Sequence, residues 1–180
     1  MIERKPVMNP RITVLPLQVL TTNADYFPTR HVVVAIVDDL GLHIEQRIKP
    51  NPNRLGLAVL RFHVASDPTA GQIRFTHDMA KTVINLVDLA KGAGLEEIIV
   101  SCAGAWSRSP AIAAALAKGM FGQDDRGFFD KHYPSPLIYR VMLEEIAKFN
   151  DREFPEKHQG ASFSASYEPT DEGEYDEPSL

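Results

Sequence analysis

A chain of 180 residues, 44% of them hydrophobic, can bury one sizeable core, and a lone cysteine excludes an internal disulfide. The net charge of −5 is uneven: residues 151–180 hold nine acids against two bases, leaving residues 1–150 with 17 bases and 15 acids, a mildly basic body. No apolar run reaches the length of a membrane span, the opening MIERKPVMNP lacks a signal-like core, and no cysteine pair, His-x3-His or glycine-rich nucleotide loop is present; no metal or cofactor is expected, and the cytoplasm is the expected compartment.

Arg11–Leu20 (RITVLPLQVL) alternates as a first strand, with Pro16 marking an edge or a break. His31–Val37 (HVVVAIV) is a continuous β-branched run, the pattern of a strand covered on both faces. Asp38–Asn53 reads as a connection with room for a short strand at His43–Ile48, and Leu55–Val64 as another buried strand. After a loop carrying Asp67 and Pro68, Thr76 predicts a helix N-cap and Asp78 suits the first turn. Met79, Val83, Leu86, Val87 and Ala90 form one apolar stripe, and Gly92 and Gly94 end the helix. A buried strand follows at Ile98, Ile99 and Val100. Next come a loop opening on Cys102 and an alanine-rich helix from Arg108 to Lys118, with Pro110 in its first turn. Gly119–Pro134 is expected to be irregular. Ser135-Pro136 reads as the start of a last helix, packed through Ile138, Met142, Ile146 and Phe149. From residue 151 the acidic chain has almost no aliphatic residues and is expected to be disordered; no internal repeat is present.

Strands alternating with helices imply an α/β fold, a partly parallel central sheet flanked by helices. Sites in such sheets gather at the carboxyl ends of the strands. The loop CAGAWSRS (102–109) lies at such a place. Between a strand's carboxyl end and a helix's amino end, free backbone N–H groups and the positive end of the helix dipole collect. That setting binds anions and favours an ionised thiol. Arg108 at a helix start is electrostatically disfavoured, and an anion facing it explains the placement.

The spacing C-x5-R-S in this strand-loop-helix setting resembles the cysteine-dependent protein tyrosine phosphatase superfamily, and within it the small dual-specificity-like members. The order of elements from Val32 to Phe149 is similar too. The resemblance implies a catalytic domain over residues 1–150 with Cys102 as nucleophile. The amides of Ala103, Gly104, Ala105, Trp106 and Ser107 and the forked Arg108 would hold phosphate, and Ser109 would hydrogen-bond the sulfur. Gly104 is expected to supply the loop's backbone freedom. Trp106 is expected on the rim, either stacking on an aromatic substrate or packing on neighbouring loops. Asp67, 35 residues before Cys102, is the candidate general acid and base, or else a solvated residue opening an Asp-Pro turn. His63 is the second candidate acid, or a histidine satisfying hydrogen bonds at a strand end. Two positions depart from the family's pattern: Val64 where relatives carry aspartate, and Ser101 where they carry histidine.

The activity implied is metal-free hydrolysis of a phosphate monoester through a phosphocysteine intermediate. The substrate is a phosphorylated protein, tyrosine phosphate by family default, or a small phosphoester. No nucleic acid or membrane partner is expected, and the absence of lysine from residues 103–107 speaks against highly charged head groups. The alternative is a phosphate- or phosphopeptide-binding module of the same fold that has lost its chemistry. Tyr167 and Tyr175 in the tail could be phosphorylated or act as pseudo-substrates, the plainer reading being a solubilising appendage.

Overall fold

The computed structural model describes residues 9–22, 27–38, 43–64 and 72–153. The β-branched and aliphatic runs form four strands, β1 (Arg11–Pro16), β2 (His31–Val37), β3 (Arg54–Arg61) and β4 (Glu97–Cys102). They pair in the order β1-β4-β2-β3, and every pair is parallel, so the sheet is wholly rather than partly parallel. Parallel neighbours need crossover connections, and each of the three here carries a helix: α1 (Leu17–Thr22), α2 (Ile44–Arg47) and α3 (His77–Gly92).

Every residue of the two central strands, β2 and β4, is buried, because helices cover both faces. Alternation divides their side chains. Val32, Val34, Ile36, Ile98, Val100 and Cys102 face the larger core with α3, α4 (Arg108–Phe121) and α6 (Pro136–Glu153). Val33, Ala35, Val37 and Ile99 face a smaller core with Leu20, Ile44 and Ile48. Ten consecutive residues at the start of α4, Arg108 to Ala117, are buried. Its alanines let that helix lie close to both the sheet and α6. Gly119 extends the same approach, since a Cβ there would meet Ile146 Cγ2 at 2.9 Å.

Five elements differ from the sequence reading, one of them the strand expected over Leu55–Val64, which starts at Arg54 and ends at Arg61. The first strand stops at Pro16, which supplies no N–H to continue a ladder, and residues 17–22 turn into a helix that buries Leu20. The stretch His43–Ile48 contains the short helix α2, not a strand, and seats Ile44 and Ile48 in the smaller core. Gly119–Pro134 is not irregular throughout: α4 continues to Phe121, and α5 (Arg126–Lys131) follows. The last helix runs to Glu153, three residues past the expected boundary at Asn150. Asp67 and most of the acidic tail, with Tyr167 and Tyr175, lie outside the described residues.

The helix before the cysteine strand is capped as its sequence predicts. Thr76 Oγ1 accepts from Met79 N–H at 3.2 Å. At the other end Leu95 N–H donates to Ala90 and Gly94 N–H to Lys91, both at 3.1 Å, with Gly94 at φ +81°; this is a Schellman motif that stops the helix just before β4. The start of β4 is pinned by Glu97, which is 2% exposed. Its carboxylate receives Arg11 Nε at 3.0 Å and NH2 at 2.8 Å, Thr13 Oγ1 at 2.6 Å and Thr29 Oγ1 at 2.7 Å. Burial pushes this carboxyl's pKa up, but those hydrogen bonds and the charge of Arg11 outweigh it and hold Glu97 below the ordinary carboxylate range. The edge strand, the loop before β2 and the cysteine strand are thereby tied together. Among the described residues no helix is long and apolar enough to cross a membrane.

Candidate active site

Because all four strands run the same way, their carboxyl ends share one rim. Cys102 ends β4 there, level with Pro16 of β1. It is 3% exposed, and its Sγ lies 3.0 Å from Ser109 Oγ, in the first turn of α4. Between them the chain makes a tight loop. Ala103 and Gly104 are exposed, Ala105 is buried, and Ser107 is the residue before the helix. No backbone N–H of residues 103 to 107 donates to an acceptor among the described residues. Three of the five donors belong to exposed residues, so the run is open to solvent or to a ligand. Such a run beside a helix amino end makes an anion-binding concavity.

Arg108 is the first residue of α4, and its side chain turns back under the rim. It is 4% exposed; NH1 donates to Phe62 O at 3.0 Å and NH2 to Asp38 Oδ2 at 3.3 Å. Phe62 follows β3 and Asp38 follows β2, so the guanidinium bridges the ends of those two strands. The buried Phe62 ring packs on Phe75 at 5.0 Å between centroids, which seats the carbonyl that Arg108 uses.

The loop is buttressed from outside by the segment leading into α6. Trp106 O accepts from Tyr133 N–H at 2.9 Å and Ser107 O from Ser135 N–H at 3.3 Å. Trp106 is 61% exposed and Tyr133 81%, so the rim beside the loop carries two largely exposed aromatic residues, the indole standing in edge contact with His132. The indole folds against Gly104, where a Cβ would come within 2.8 Å of Trp106 Cδ1.

The structure thus brings Cys102, Ser109, Arg108 and the loop residues Ala103 to Ser107 to one place. One expectation needs correction. The backbone freedom expected at Gly104 is used elsewhere: the positive φ, +57°, belongs to Ala105, while Gly104 makes room for the indole. His63 is occupied at the strand end. Its N–H donates to Ile73 O at 2.8 Å and its Nδ1 accepts from Ile73 N–H at 3.0 Å, which leaves the proton of the neutral ring on Nε2. Of the departing positions, Val64 is 56% exposed, and Ser101 is wholly buried with its hydroxyl unpartnered among the described residues. Sequence reasoning missed Asp38. The available signal was its position, an acid directly after the carboxyl end of a fully buried strand.

With four parallel strands in this order, a cysteine loop after β4 and helices on both faces, the chain has the protein tyrosine phosphatase fold. Among solved structures it is similar to the Cydia pomonella PTP-2 phosphatase, with a TM-score of 0.51 and 16% identity over 76% of this chain and 86% of that one. Further similar structures are PTPMT1 in complex with PI(5)P, at a TM-score of 0.48 and 14% identity over 79% of this chain and 94% of that one, and the human tyrosine phosphatase-like serine/threonine/tyrosine-interacting protein, at 0.46 and 16% over 79% and 93%. At these identities the similarity is one of fold. No family model and no curated protein matches the sequence.

Proposed function

We propose that the protein is a phosphomonoesterase that works through a phosphocysteine intermediate, with aryl phosphate such as protein tyrosine phosphate as its substrate class. The observation that carries this is the run of five loop amides with no partner among the described residues, between a buried cysteine and a buried arginine. In the first step Cys102 Sγ, as thiolate, forms a bond to phosphorus while the bond from phosphorus to the ester oxygen breaks. The leaving oxygen takes a proton, a role assigned to Asp67 from the sequence. The loop amides and Arg108 stabilise the three equatorial oxygens as charge shifts across them. In the second step water attacks phosphorus, gives a proton back to the same carboxylate, and releases the sulfur as thiolate and the phosphate as product. Ser109, 3.0 Å from the sulfur, supports the leaving thiolate by donating its hydroxyl hydrogen. The exposed aromatic side chains of Trp106 and Tyr133 beside the loop support an aromatic leaving group.

The second reading, a phosphate-binding module without turnover, is favoured by one observation: Val64 stands exposed where the resemblance calls for the acid. Hydrolysis of para-nitrophenyl phosphate in EDTA tests both. The enzyme reading expects turnover that Cys102→Ser abolishes and Asp67→Asn lowers by about two orders of magnitude, the usual contribution of a general acid, with orthophosphate binding kept. Turnover that survives Cys102→Ser, or that needs a divalent ion, refutes the scheme. Orthophosphate binding with background turnover establishes the module.

A further inference from the structure

One peptide group beside the cysteine loop is gripped from both sides. Its carbonyl, Phe62 O, accepts from Arg108 NH1 at 3.0 Å, and its N–H, that of His63, donates to Ile73 O at 2.8 Å. A peptide unit is planar, so whatever fixes the N–H also fixes the direction of the carbonyl. β3 ends at Arg61, and after Phe62 N–H reaches Val37 O the chain has left the ladder. The pairing of residue 63 with residue 73 is closed instead by a side chain: Ile73 N–H donates to His63 Nδ1 at 3.0 Å. The far side of that pairing is firmly seated. Ile73 packs against the larger core, and two residues on the Phe75 ring meets Phe62.

We propose that His63 is a positioning residue of the phosphate site: by accepting Ile73 N–H on Nδ1 it holds the 62–63 peptide, and with it the carbonyl on which the Arg108 guanidinium rests. This role rests on the proposed phosphate site and adds to it a side chain that acts through the backbone. An arginine ordered before the ligand arrives binds an anion more tightly than one that must be ordered by it. The role differs from proton donation. A staple needs an acceptor at one place and no exchangeable proton, whereas a general acid is lost with its ring. Asparagine separates the two, because its Oδ1 stands two bonds from Cβ, where histidine has Nδ1, and its amide does not act as an acid. Glutamine carries its oxygen one bond farther out, and leucine has no acceptor at all.

The experiment uses the full chain, with inorganic orthophosphate titrated by calorimetry and para-nitrophenyl phosphate hydrolysed in EDTA. The variants are His63→Asn, His63→Gln and His63→Leu, the last also combined with Arg108→Lys. His63→Leu should weaken orthophosphate about tenfold, the value of roughly one hydrogen bond. His63→Gln should resemble leucine, while His63→Asn should keep both wild-type binding and wild-type turnover. Once Arg108 is lysine, His63→Leu should cost less than about a further twofold, because residues that act through one another are not additive. Thermal melts establish which variants are folded, and if His63→Leu is not, the contrast of glutamine with asparagine decides. Wild-type orthophosphate binding in a folded His63→Leu protein, or equal binding in His63→Gln and His63→Asn, overturns the staple and leaves the phosphate site standing. So does a His63→Asn protein that binds orthophosphate normally and has lost turnover, which makes His63 the proton donor. A wild type that binds no orthophosphate and turns over no ester removes both the site and the role.

Discussion

Ala105 is the non-glycine residue with positive φ among the described residues, at +57°, and it is buried in the loop that wraps the sulfur. That backbone region costs an L-residue about 1–2 kcal/mol. Ala105→Gly removes the strain but loses a buried methyl, about 0.8 kcal/mol, and adds unfolded-state entropy worth about 0.4–1 kcal/mol. The terms cancel, so the substitution should be close to neutral. The control is Ala113→Gly, at a fully buried site in the interior of α4 where φ is helical. There the methyl is lost and helix propensity is lost as well, so the cost should be about 2 kcal/mol. For a domain of this size that is a gap of about 4–8 °C in melting temperature between two chemically identical changes. The assay is paired thermal and urea unfolding by far-UV circular dichroism. Intrinsic fluorescence adds a local reporter, because Trp106 is the lone tryptophan of the chain and sits on the loop itself. Gly104→Ala completes the set: its Cβ would press on Trp106, and a 61% exposed indole can swing away. Stability should barely change while the emission shifts. If Ala105→Gly loses as much stability as Ala113→Gly, the loop stores no strain at Ala105 and the reasoning fails.

Glu97→Gln should destabilise by about 2 kcal/mol at neutral pH, the worth of a charge-assisted fork of which one partner, Arg11, is largely exposed. The folded carboxyl lies below its ordinary value of 4.5, so its contribution is complete above that value and is lost as pH falls through the folded one. The stability gap between wild type and variant, read by urea titration, should hold from pH 7 to pH 6 and shrink below about pH 4.5; a gap that widens on acidification contradicts this sign. Arg108→Lys should weaken orthophosphate about thirtyfold through loss of the planar fork, roughly 2 kcal/mol, and binding at wild-type strength would show that Arg108 is not the clamp.

What the sequence made legible followed local rules. The β-branched run His31–Val37 became a strand with the expected bounds because burial on both faces needs nothing but apolar residues. Thr76, Asp78 and Gly94 punctuated α3 because caps are local chemistry. The cysteine loop was legible because strand, loop and helix are contiguous there. Other features depended on partners far along the chain. The β1-β4-β2-β3 order is a matter of which strands meet, and no single strand's pattern encodes it. Ile44 and Ile48 fall on one face both at helical spacing and at strand spacing, so HIEQRI fits either; the smaller core under the sheet selected the helix. Gly104 and Ala105 show the same limit within the loop. Residue preference points to glycine for the left-handed position, but the path of the chain puts that conformation one residue later and spends the glycine on clearance for an indole.

The site concentrates features that act against stability: a cation at a helix amino end, five amides with no partner among the described residues and a strained alanine. A chain keeps such a cluster only if the surrounding structure over-determines it, and here the constraints can be traced. Glu97 fixes one end of β4, the contact of α4 with α6 fixes the helix behind the loop, and the carbonyls of Trp106 and Ser107 are tied to residues 133 and 135. The loop is therefore held from the strand, from the helix and from outside, while its donors meet no acceptor among the described residues. Binding a tetrahedral oxyanion would satisfy those donors and the charge of Arg108 together. By linkage, an anion that binds the folded chain alone must raise its stability, by about 2.7 kcal/mol at a hundred times its dissociation constant. Orthophosphate should accordingly raise the melting temperature of wild type, and raise it less in Arg108→Lys.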